Sequence, residues 1–377
     1  MLLIMHLKQN IKLSQFLDYQ RAISLDSLRG VLVSLIVVSH AASWFGYLQS
    51  GRWALPPSVA LTYMAQASVA MLFMLTGYLF TSKLLQSRHQ GMDWIGLFTG
   101  RFLRLVPAYM LSVVLLFTIT LVTGLWGHGV HAATPAGAYL AWLLFAVPGT
   151  PSLHGVQDTV QVMAGATWTL AYAWIFYFSL PVLAWFFRVR TSGVLALVGA
   201  AMACLIASLI PHYKIIYAML ALGGLCAVLV RWDGLRHALV HPACAVLAWL
   251  CVLLATWVSP STAYSAIPLL LLGVVFLIIA CGNSLGGLLH LQACQTWGRC
   301  SYSLYLLHGP LLYIALKLVS AFTHWPLDEV WGFGCLVLLL APCLVGVSLA
   351  SYHWIEAPAL GQQDAFSRRV KVLLRRW

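Results

Sequence analysis

The first candidate for chemistry is a histidine inside a long apolar segment, "SLDSLRGVLVSLIVVSHAASWFGYL". Arg29 opens the apolar run, and His40 follows eleven residues later, which is close to three helical turns. On a continuous helix the two side chains would share one face, about 16 Å apart along the axis. Ionisable groups at that depth are costly and usually face a protein interior or a water-filled cavity. His40 is therefore either a general base or a core histidine hydrogen-bonded to a neighbouring helix, and this segment alone does not decide.

Two arginines form the second candidate site, in "GRFLRLVPAYML" at 100–111. Arg101 and Arg104 are three residues apart, so they share a helix face just before an apolar run. A pair of planar guanidinium groups suits phosphate binding. The alternative interpretation is that the pair only anchors the helix at the cytoplasmic boundary.

A polar stripe is the third candidate, in "GRCSYSLYLLHGPLLYI" at 298–314. Tyr302, Tyr305 and His308 follow one another at intervals of three residues along an otherwise apolar helix. Gly309 and Pro310 come directly after the histidine and loosen the backbone there. Packing with local hydrogen bonds explains this stripe as well as a direct role in a site does.

Two further stretches combine aromatic and ionisable residues. "TWTLAYAWIFYFSLP" at 167–181 is rich in aromatic side chains, Trp168 and Tyr177 among them, and contains no acid. "SYHWIEAPAL" at 351–360 carries Glu356 near the end of the last apolar run. A carboxylate so close to the membrane boundary is more often structural than catalytic.

The composition indicates that membrane helices position these residues. The chain has 377 residues, of which 62% are hydrophobic and 8% charged, and its mean hydropathy is +0.89. Soluble domains are about 25% charged, so the sequence predicts an all-α integral membrane helix bundle. Apolar runs of about 20 residues are read as spans and give about ten, at 31–48, 58–81, 103–124, 168–187, 191–211, 213–230, 238–258, 262–282, 301–320 and 331–355.

The basic residues predict the orientation of these spans. With both termini in the cytoplasm, 18 of the 21 Lys and Arg residues fall on the cytoplasmic side, leaving Arg52, Lys214 and Lys317 outside. This asymmetry follows the positive-inside rule and explains the net charge of +12 without a nucleic-acid partner. The apolar run at 137–150 is too short to cross and is interpreted as interfacial or re-entrant, because a crossing there would invert every later loop.

The sequence is interpreted as one membrane domain over 1–377, with a cytoplasmic segment at 1–30 and a basic cytoplasmic tail at 357–377. Its nine cysteines form no CxxC pattern or metal-like cluster, so neither a disulfide framework nor a metal site is expected. The start "MLLIM" is too short for a signal-peptide core, and the first span is expected to be retained.

Six short motifs occur in one order along nearly the whole chain. Together they resemble the membrane-bound acyltransferase 3 family, in its stand-alone form without an esterase-like extra domain. Each motif is weak alone, but the ordered set is specific. They are "LDSLRG" with the following "SH" (Arg29 to His40), "FMLTGY" (73–78), "RFLRLVPAY" (101–109), "TWTLAYAWIFYFSLP" (167–181), "SYSLYLLH" (301–308) and "IEAP" (355–358).

This resemblance implies transfer of an acyl group, most often acetyl, from cytoplasmic acyl-CoA to a hydroxyl of an envelope polysaccharide or lipid-linked sugar. It implies a location in the bacterial inner membrane, His40 as the general base with Arg29 beside the chemistry, and no metal. The donor-binding residues it implies are Arg101, Arg104, Tyr302 and Ser303. The residues it implies around the acceptor are Trp168, Tyr177, Tyr305, His308 and Glu356. It leaves the acceptor sugar, the acyl length and the oligomeric state open.

One position departs from the family pattern. Ala173 stands where the family has a glutamate, which would orient or charge the catalytic histidine as in other acid–base pairs. Three explanations are open: an engineered inactive variant, use of another acid, or loss of catalysis. Because the neighbouring residues all fit, an isolated substitution is favoured over general decay. His154 and Asp158 are the nearest candidate replacements for the acid.

Two other classes of protein compete with this interpretation. A secondary transporter of a small solute or acyl-carrying group also has many spans and buried histidines, but it should show inverted repeats. The two halves of this sequence show none. A haem protein ligated by His40 and His308 is a third hypothesis, and a Soret band would reveal it.

Overall fold

The fold is all-α, as the sequence predicts. A computed structural model describes residues 2–56, 58–128, 134–157, 159–210 and 214–374. All regular elements within those ranges are helical, apart from one isolated antiparallel bridge between Leu153 and Val156. The high apolar content explains this, because in lipid a helix satisfies its own backbone hydrogen bonds.

Fifteen α-helices are numbered here in chain order within the described residues. They are α1 (Leu2–Ser50), α2 (Val59–Gln86), α3 (Trp94–His128), α4 (Ala136–Leu143), α5 (Thr159–Val162), α6 (Trp168–Phe186), α7 (Gly193–Leu209), α8 (Lys214–Leu229), α9 (Asp233–Val240), α10 (Ala243–Val258), α11 (Ala266–Ala280), α12 (Gln292–Phe322), α13 (Val330–Ser351), α14 (Ala357–Gly361) and α15 (Gln363–Leu374). A 3₁₀ turn covers Leu288–His290, and a π-helical turn covers Tyr352–Glu356.

The number of helices that can span a bilayer is lower than the ten apolar runs suggest. Among the described residues, six helical segments are long and apolar enough, and the bent pair α8–α9 makes a seventh if it counts as one span. Helices α7, α10 and α11 are apolar but have only 15 to 17 residues. The count of ten and the orientation of the termini therefore stay predictions.

The short apolar run at 137–150 forms α4, which has eight residues and ends at Leu143. A helix of that length rises about 12 Å, far less than the hydrocarbon core of a bilayer. The backbone reverses directly after it, because Phe145 and Ala146 both take positive φ angles. This agrees with an interfacial or re-entrant segment.

The chain forms two compact units. The first consists of Met1–Ala42, Leu55–Lys83 and Tyr213–Ser301. Within it, Arg236 of α9 donates to the Asp18 carboxylate at 2.8 Å, and the Gln66 amide oxygen on α2 accepts hydrogen bonds from Thr262 and Ala263. The first bond joins α9 to α1, and the other two hold the loop between α10 and α11 against α2.

Two glycines let α2 and α8 approach each other closely within the first unit. A methyl group built on Gly223 would lie 2.7 Å from the Met74 Cα, and one built on Gly77 would lie 3.0 Å from the Leu220 Cα. Small residues at such crossings allow backbones to pack tightly in membranes.

We therefore expect Gly223→Ala to lower the apparent melting temperature in detergent, with a loss of about 1–3 kcal/mol from overpacking. Gly346→Ala on α13 is the matched control, because a methyl group there meets no atom of the described residues within 4 Å. Equal melting temperatures for the two variants would contradict the importance of this crossing.

The second unit consists of Ser43–Ala54, Leu84–His212 and Tyr302–Trp377. Helices α6 and α7 pack side by side in it, and α15 packs against the start of α3. Gln363 donates to the Gly96 carbonyl, and Lys371 pairs with Asp93 at 2.8 Å. The Tyr109 hydroxyl donates to the Trp142 carbonyl at 2.6 Å and thereby ties α4 to α3.

Candidate active site

The first unit contains Arg29 and His40 on one continuous helix, α1, as their spacing predicts. Arg29 is half-buried and its guanidinium contacts the Asp26 carboxylate at 3.2 Å, one turn earlier. His40 is also half-buried, eleven residues further along the helix. An imidazole in this setting keeps an accessible edge, which a general base needs and a fully enclosed core histidine lacks.

The helix around Arg29 crosses the beginning of α12 at two glycines. A methyl group on Gly30 would lie 2.6 Å from the Trp297 backbone, and one on Gly298 would lie 2.7 Å from the Asp26 carbonyl carbon. Gly298 directly precedes Arg299 at the start of the stretch that carries the third motif. The crossing fixes the position of Arg29, and the sequence alone did not predict that these two glycines meet.

The second unit brings together a buried carboxylate and two serines. Glu356 is only 2% exposed, and its Oε1 atom accepts a short hydrogen bond from the Ser303 hydroxyl. The Ser303 and Ser351 hydroxyl oxygens are 2.8 Å apart. Glu356 ends the π-helical turn Tyr352–Glu356, and such turns are frequent at functional sites.

Arg104 and Tyr302 belong to the same cluster. The Arg104 guanidinium interacts electrostatically with both Glu356 and Tyr302. The Tyr302 hydroxyl donates to the Leu105 carbonyl at 2.9 Å, which joins α12 to α3. Arg104, Tyr302 and Ser303, which the resemblance assigns to the donor, lie in the second unit together with Glu356, which it assigns to the acceptor. Arg101, one turn before Arg104, is half-buried on the same helix.

The polar stripe of α12 continues at Tyr305 and His308. The Tyr305 hydroxyl donates to the Ala166 carbonyl at 2.6 Å and lies 2.7 Å from the Thr169 hydroxyl. His308 is fully buried, with Nδ1 3.2 Å from the Leu304 carbonyl and its ring centroid 6.2 Å from that of Tyr305. The two histidines therefore differ in exposure: His308 has no exposed surface, whereas His40 is half-buried.

Position 173 faces α12 from α6. Thr169 and Tyr177 lie one turn before and after Ala173, so all three share a helix face. Thr169 contacts Tyr305 of α12. Ala173 itself is half-buried. A longer side chain at this position would therefore extend toward the hydroxyl groups of α12.

Trp168 lies at the first residue of α6 and is 39% exposed. Its ring meets Tyr172 edge-to-face at 5.9 Å. This is the geometry of an aromatic residue at a helix end near a membrane interface. The structure leaves its predicted role at the acceptor open.

His154 occupies the loop between α4 and α5, where its backbone has a positive φ angle. Its Nδ1 atom is 3.0 Å from the Thr120 hydroxyl, and its Nε2 atom is 2.7 Å from the Tyr139 hydroxyl. Burial lowers the pKa of His154 below its usual value of 6.5. The neighbours thus stabilise a neutral imidazole. Asp158, its predicted companion, lies outside the described residues.

A serine and a histidine from distant parts of the chain form a further polar contact in the first unit. Ser24 on α1 is fully buried, and its hydroxyl is 3.2 Å from Nε2 of His290. The sequence alone did not predict this pair, because 266 residues separate its members.

No group of three or more His, Cys, Asp and Glu side chains is placed to hold a metal ion within the described ranges.

The site in the second unit predicts a measurable structural role for Ser303. We expect Ser303→Ala to destabilise the protein by about 1–3 kcal/mol, because it leaves the buried Glu356 carboxylate without its hydroxyl donor. Ser320→Ala, on the same helix but exposed and bonded only to the Lys317 carbonyl, is the control and should melt unchanged. A Ser303→Ala protein as stable as the control would refute this role.

Comparison with protein families assigns the chain to a class of membrane-embedded transferases. The acyltransferase domain of the acyltransferase 3 family matches residues 22–353. The chain therefore belongs to the membrane-bound acyltransferase 3 family and is an integral membrane acyltransferase. No curated protein and no solved structure gave a significant match.

Proposed function

We propose that this protein transfers an acyl group, most often acetyl, from acyl-CoA to a hydroxyl of an envelope polysaccharide or a lipid-linked sugar. The observation that carries the proposal is the family match over 22–353, which includes the Arg29–His40 helix and the Arg101–Arg104 helix. Family membership also favours transfer over solute transport. The protein lies in a bacterial inner membrane in this proposal, and the positive-inside asymmetry supports a cytoplasmic position for Arg101 and Arg104, where acyl-CoA arrives.

His40 is the general base in this proposal. Its imidazole takes the proton of the acceptor hydroxyl while the hydroxyl oxygen attacks the thioester carbonyl. The C–S bond then breaks, and the CoA sulfur leaves with the proton from the imidazolium. An imidazole suits both steps because its pKa lies near neutral pH. Its half-buried position supports the role, since the hydroxyl must reach the ring.

Arg101 and Arg104 bind the donor in this proposal. Guanidinium groups present several N–H donors to phosphate oxygens, and CoA carries phosphates on its nucleotide portion. Glu356 lies close enough to Arg104 for the two side chains to interact electrostatically. Arg101 is half-buried and so retains surface for a ligand. Tyr302 and Ser303 contribute by holding α12 and the Glu356 turn in place around Arg104.

Acetyl-CoA binding to the purified protein in detergent tests the donor site. We expect Arg101→Ala to weaken binding about tenfold or more, since a charge-assisted contact worth about 1.5–3 kcal/mol is lost. Isothermal titration calorimetry measures the change. Arg190→Ala removes the same charge from an exposed loop residue and should bind as the parent does. The donor assignment fails if neither the parent nor the control binds acetyl-CoA, or if Arg101→Ala binds as well as the parent.

A further inference from the structure

Four aromatic rings of the second unit form one contiguous group, which we call the aromatic cluster: Trp44, Tyr47, Trp53 and Tyr313. The Trp44 ring centroid is 5.4 Å from that of Tyr47, 5.2 Å from that of Trp53 and 5.7 Å from that of Tyr313, with angles of 85°, 71° and 62° between the ring planes. Edge-to-face contacts of this kind hold aromatic rings in fixed relative positions. The cluster is thus a rigid platform.

Two rings of the cluster are buried, and the other two are more accessible. Trp44 and Tyr313 are 3% and 4% exposed, whereas Tyr47 and Trp53 are half-buried. The turn at Gly165 approaches the Trp53 indole, since a methyl group there would lie 3.5 Å from its Nε1 atom. The Trp44 Nε1 atom is buried and has no hydrogen-bond partner among the described residues. A buried polar group without a partner in a native structure needs an explanation, such as a bound molecule or a water.

Positive charge accompanies the cluster. The Lys317 ammonium lies 5.5 Å from the centre of the Tyr313 ring, and Arg52 directly precedes Trp53 in the chain. Both side chains are exposed. They are two of the three basic residues that the charge asymmetry assigns to the outer side of the membrane. Because the outer side is otherwise depleted of Lys and Arg, orientation of the helices does not account for their presence.

An interfacial aromatic belt explains this arrangement less well. Belt residues place single amphipathic rings at the headgroup level, facing lipid. Here the rings contact one another, and two of the four are almost completely enclosed. Aromatic side chains with a few polar groups nearby are typical of small-molecule sites.

We infer that the aromatic cluster, with Lys317 and Arg52, binds the acceptor of the reaction, and that this acceptor is an anionic sugar. One face of a pyranose ring carries mainly C–H groups and stacks on an indole or phenol ring, while a carboxylate or phosphate on the sugar pairs with the two cations. In the sequence, Trp44 follows His40 by four residues. The inference rests on the proposed function, because it names the acceptor class of the same reaction.

Saturation-transfer NMR on the full chain in neutral detergent tests the inference. The probes are methyl glucuronide, neutral methyl glucoside, and glycerol phosphate, which carries a lipid-like phosphate without a sugar ring. We expect methyl glucuronide to bind most tightly. Trp53→Ala should weaken its binding about tenfold, which is a loss of roughly 1.4 kcal/mol. Lys317→Gln should weaken methyl glucuronide several-fold and leave methyl glucoside unchanged.

Two matched controls separate the cluster from the general surface. Trp257→Ala removes an 80% exposed tryptophan, and Lys214→Gln removes the third basic residue of the predicted outer side. Neither should change sugar binding. If Trp53→Ala misfolds, Trp53→Phe keeps an aromatic face and should bind with intermediate affinity.

Three results would overturn the inference: no binding of either glycoside, equal effects of the controls and the cluster variants, or binding of glycerol phosphate alone, which would indicate a lipid headgroup site. Acetyl-CoA binding on the same preparations separates this failure from that of the proposed function. If acetyl-CoA still binds but the cluster variants leave glycoside binding unchanged, only the acceptor site is refuted. Absence of acetyl-CoA binding in the parent removes the proposed function itself.

Discussion

Replacing His40 with alanine should reduce the release of CoA from acetyl-CoA by about 10²- to 10⁴-fold, which is the usual contribution of a general base. The expected cause is the loss of the group that removes the acceptor proton. Without it, a neutral hydroxyl must attack the thioester. The rate is measured by mass spectrometry of free CoA, because nine native cysteine thiols would react with a thiol-specific dye.

The binding of acetyl-CoA should be unchanged in the His40→Ala protein, since the base acts on the acceptor and not on the phosphates. His237→Ala provides the matched control, because His237 is exposed and its Nδ1 atom bonds only the Asp233 carbonyl at 2.7 Å within α9. The control should retain full turnover. If the His40→Ala protein keeps its full turnover, His40 is not the general base and its role is structural.

The second large effect is expected at position 173. Ala173→Glu should raise the rate of acyl transfer by roughly 10²-fold or more, as an acid that supports a catalytic histidine contributes on that scale. Ala173 is half-buried, and Thr169, one turn earlier on the same helix, contacts Tyr305 of α12. A carboxylate there can accept hydrogen bonds from hydroxyl groups of α12.

Ala173→Gln separates the effect of charge from that of size. Glutamine has the same shape as glutamate but stays neutral, so it should leave the rate close to that of the parent. Equal stimulation by both substitutions would mean that the longer side chain acts through packing. A rate unchanged or lowered by Ala173→Glu would show that the acid has no catalytic part in this protein. His40→Ala is best measured in the Ala173→Glu background, where turnover is expected to be higher.

The sequence predicted the all-α fold because helices depend on local patterns, whereas the roles of the site residues stay predictions. Runs of apolar residues locate helices, and the spacing of Arg29 and His40 follows directly from helix geometry. Helix ends were harder to place. The 104° bend between α8 and α9 comes directly after the apolar run at 213–230, and its sharpness depends on packing that a single segment does not encode.

Contacts between distant segments could not be predicted from one sequence. Ser303 and Glu356 are 53 residues apart, and the Gly30–Gly298 crossing joins positions still further apart. A hint was present, since isolated serines and one glutamate in apolar segments need polar partners. That rule states that partners exist without stating which ones. The aromatic cluster was missed for the same reason, because its four rings come from three separate stretches of the chain.

The π-helical turn at Tyr352–Glu356 has a consequence for how related chains should be compared. A π turn contains one more residue than the equivalent α-helical turn, and each residue of an α-helix rotates the next by about 100°. Deleting one residue from this turn would swing the Glu356 side chain away from Ser303 while leaving the helix continuous. Alignments of relatives should therefore permit a single-residue gap here, and a relative that has the gap must present its carboxylate from a neighbouring position or lack the cluster altogether.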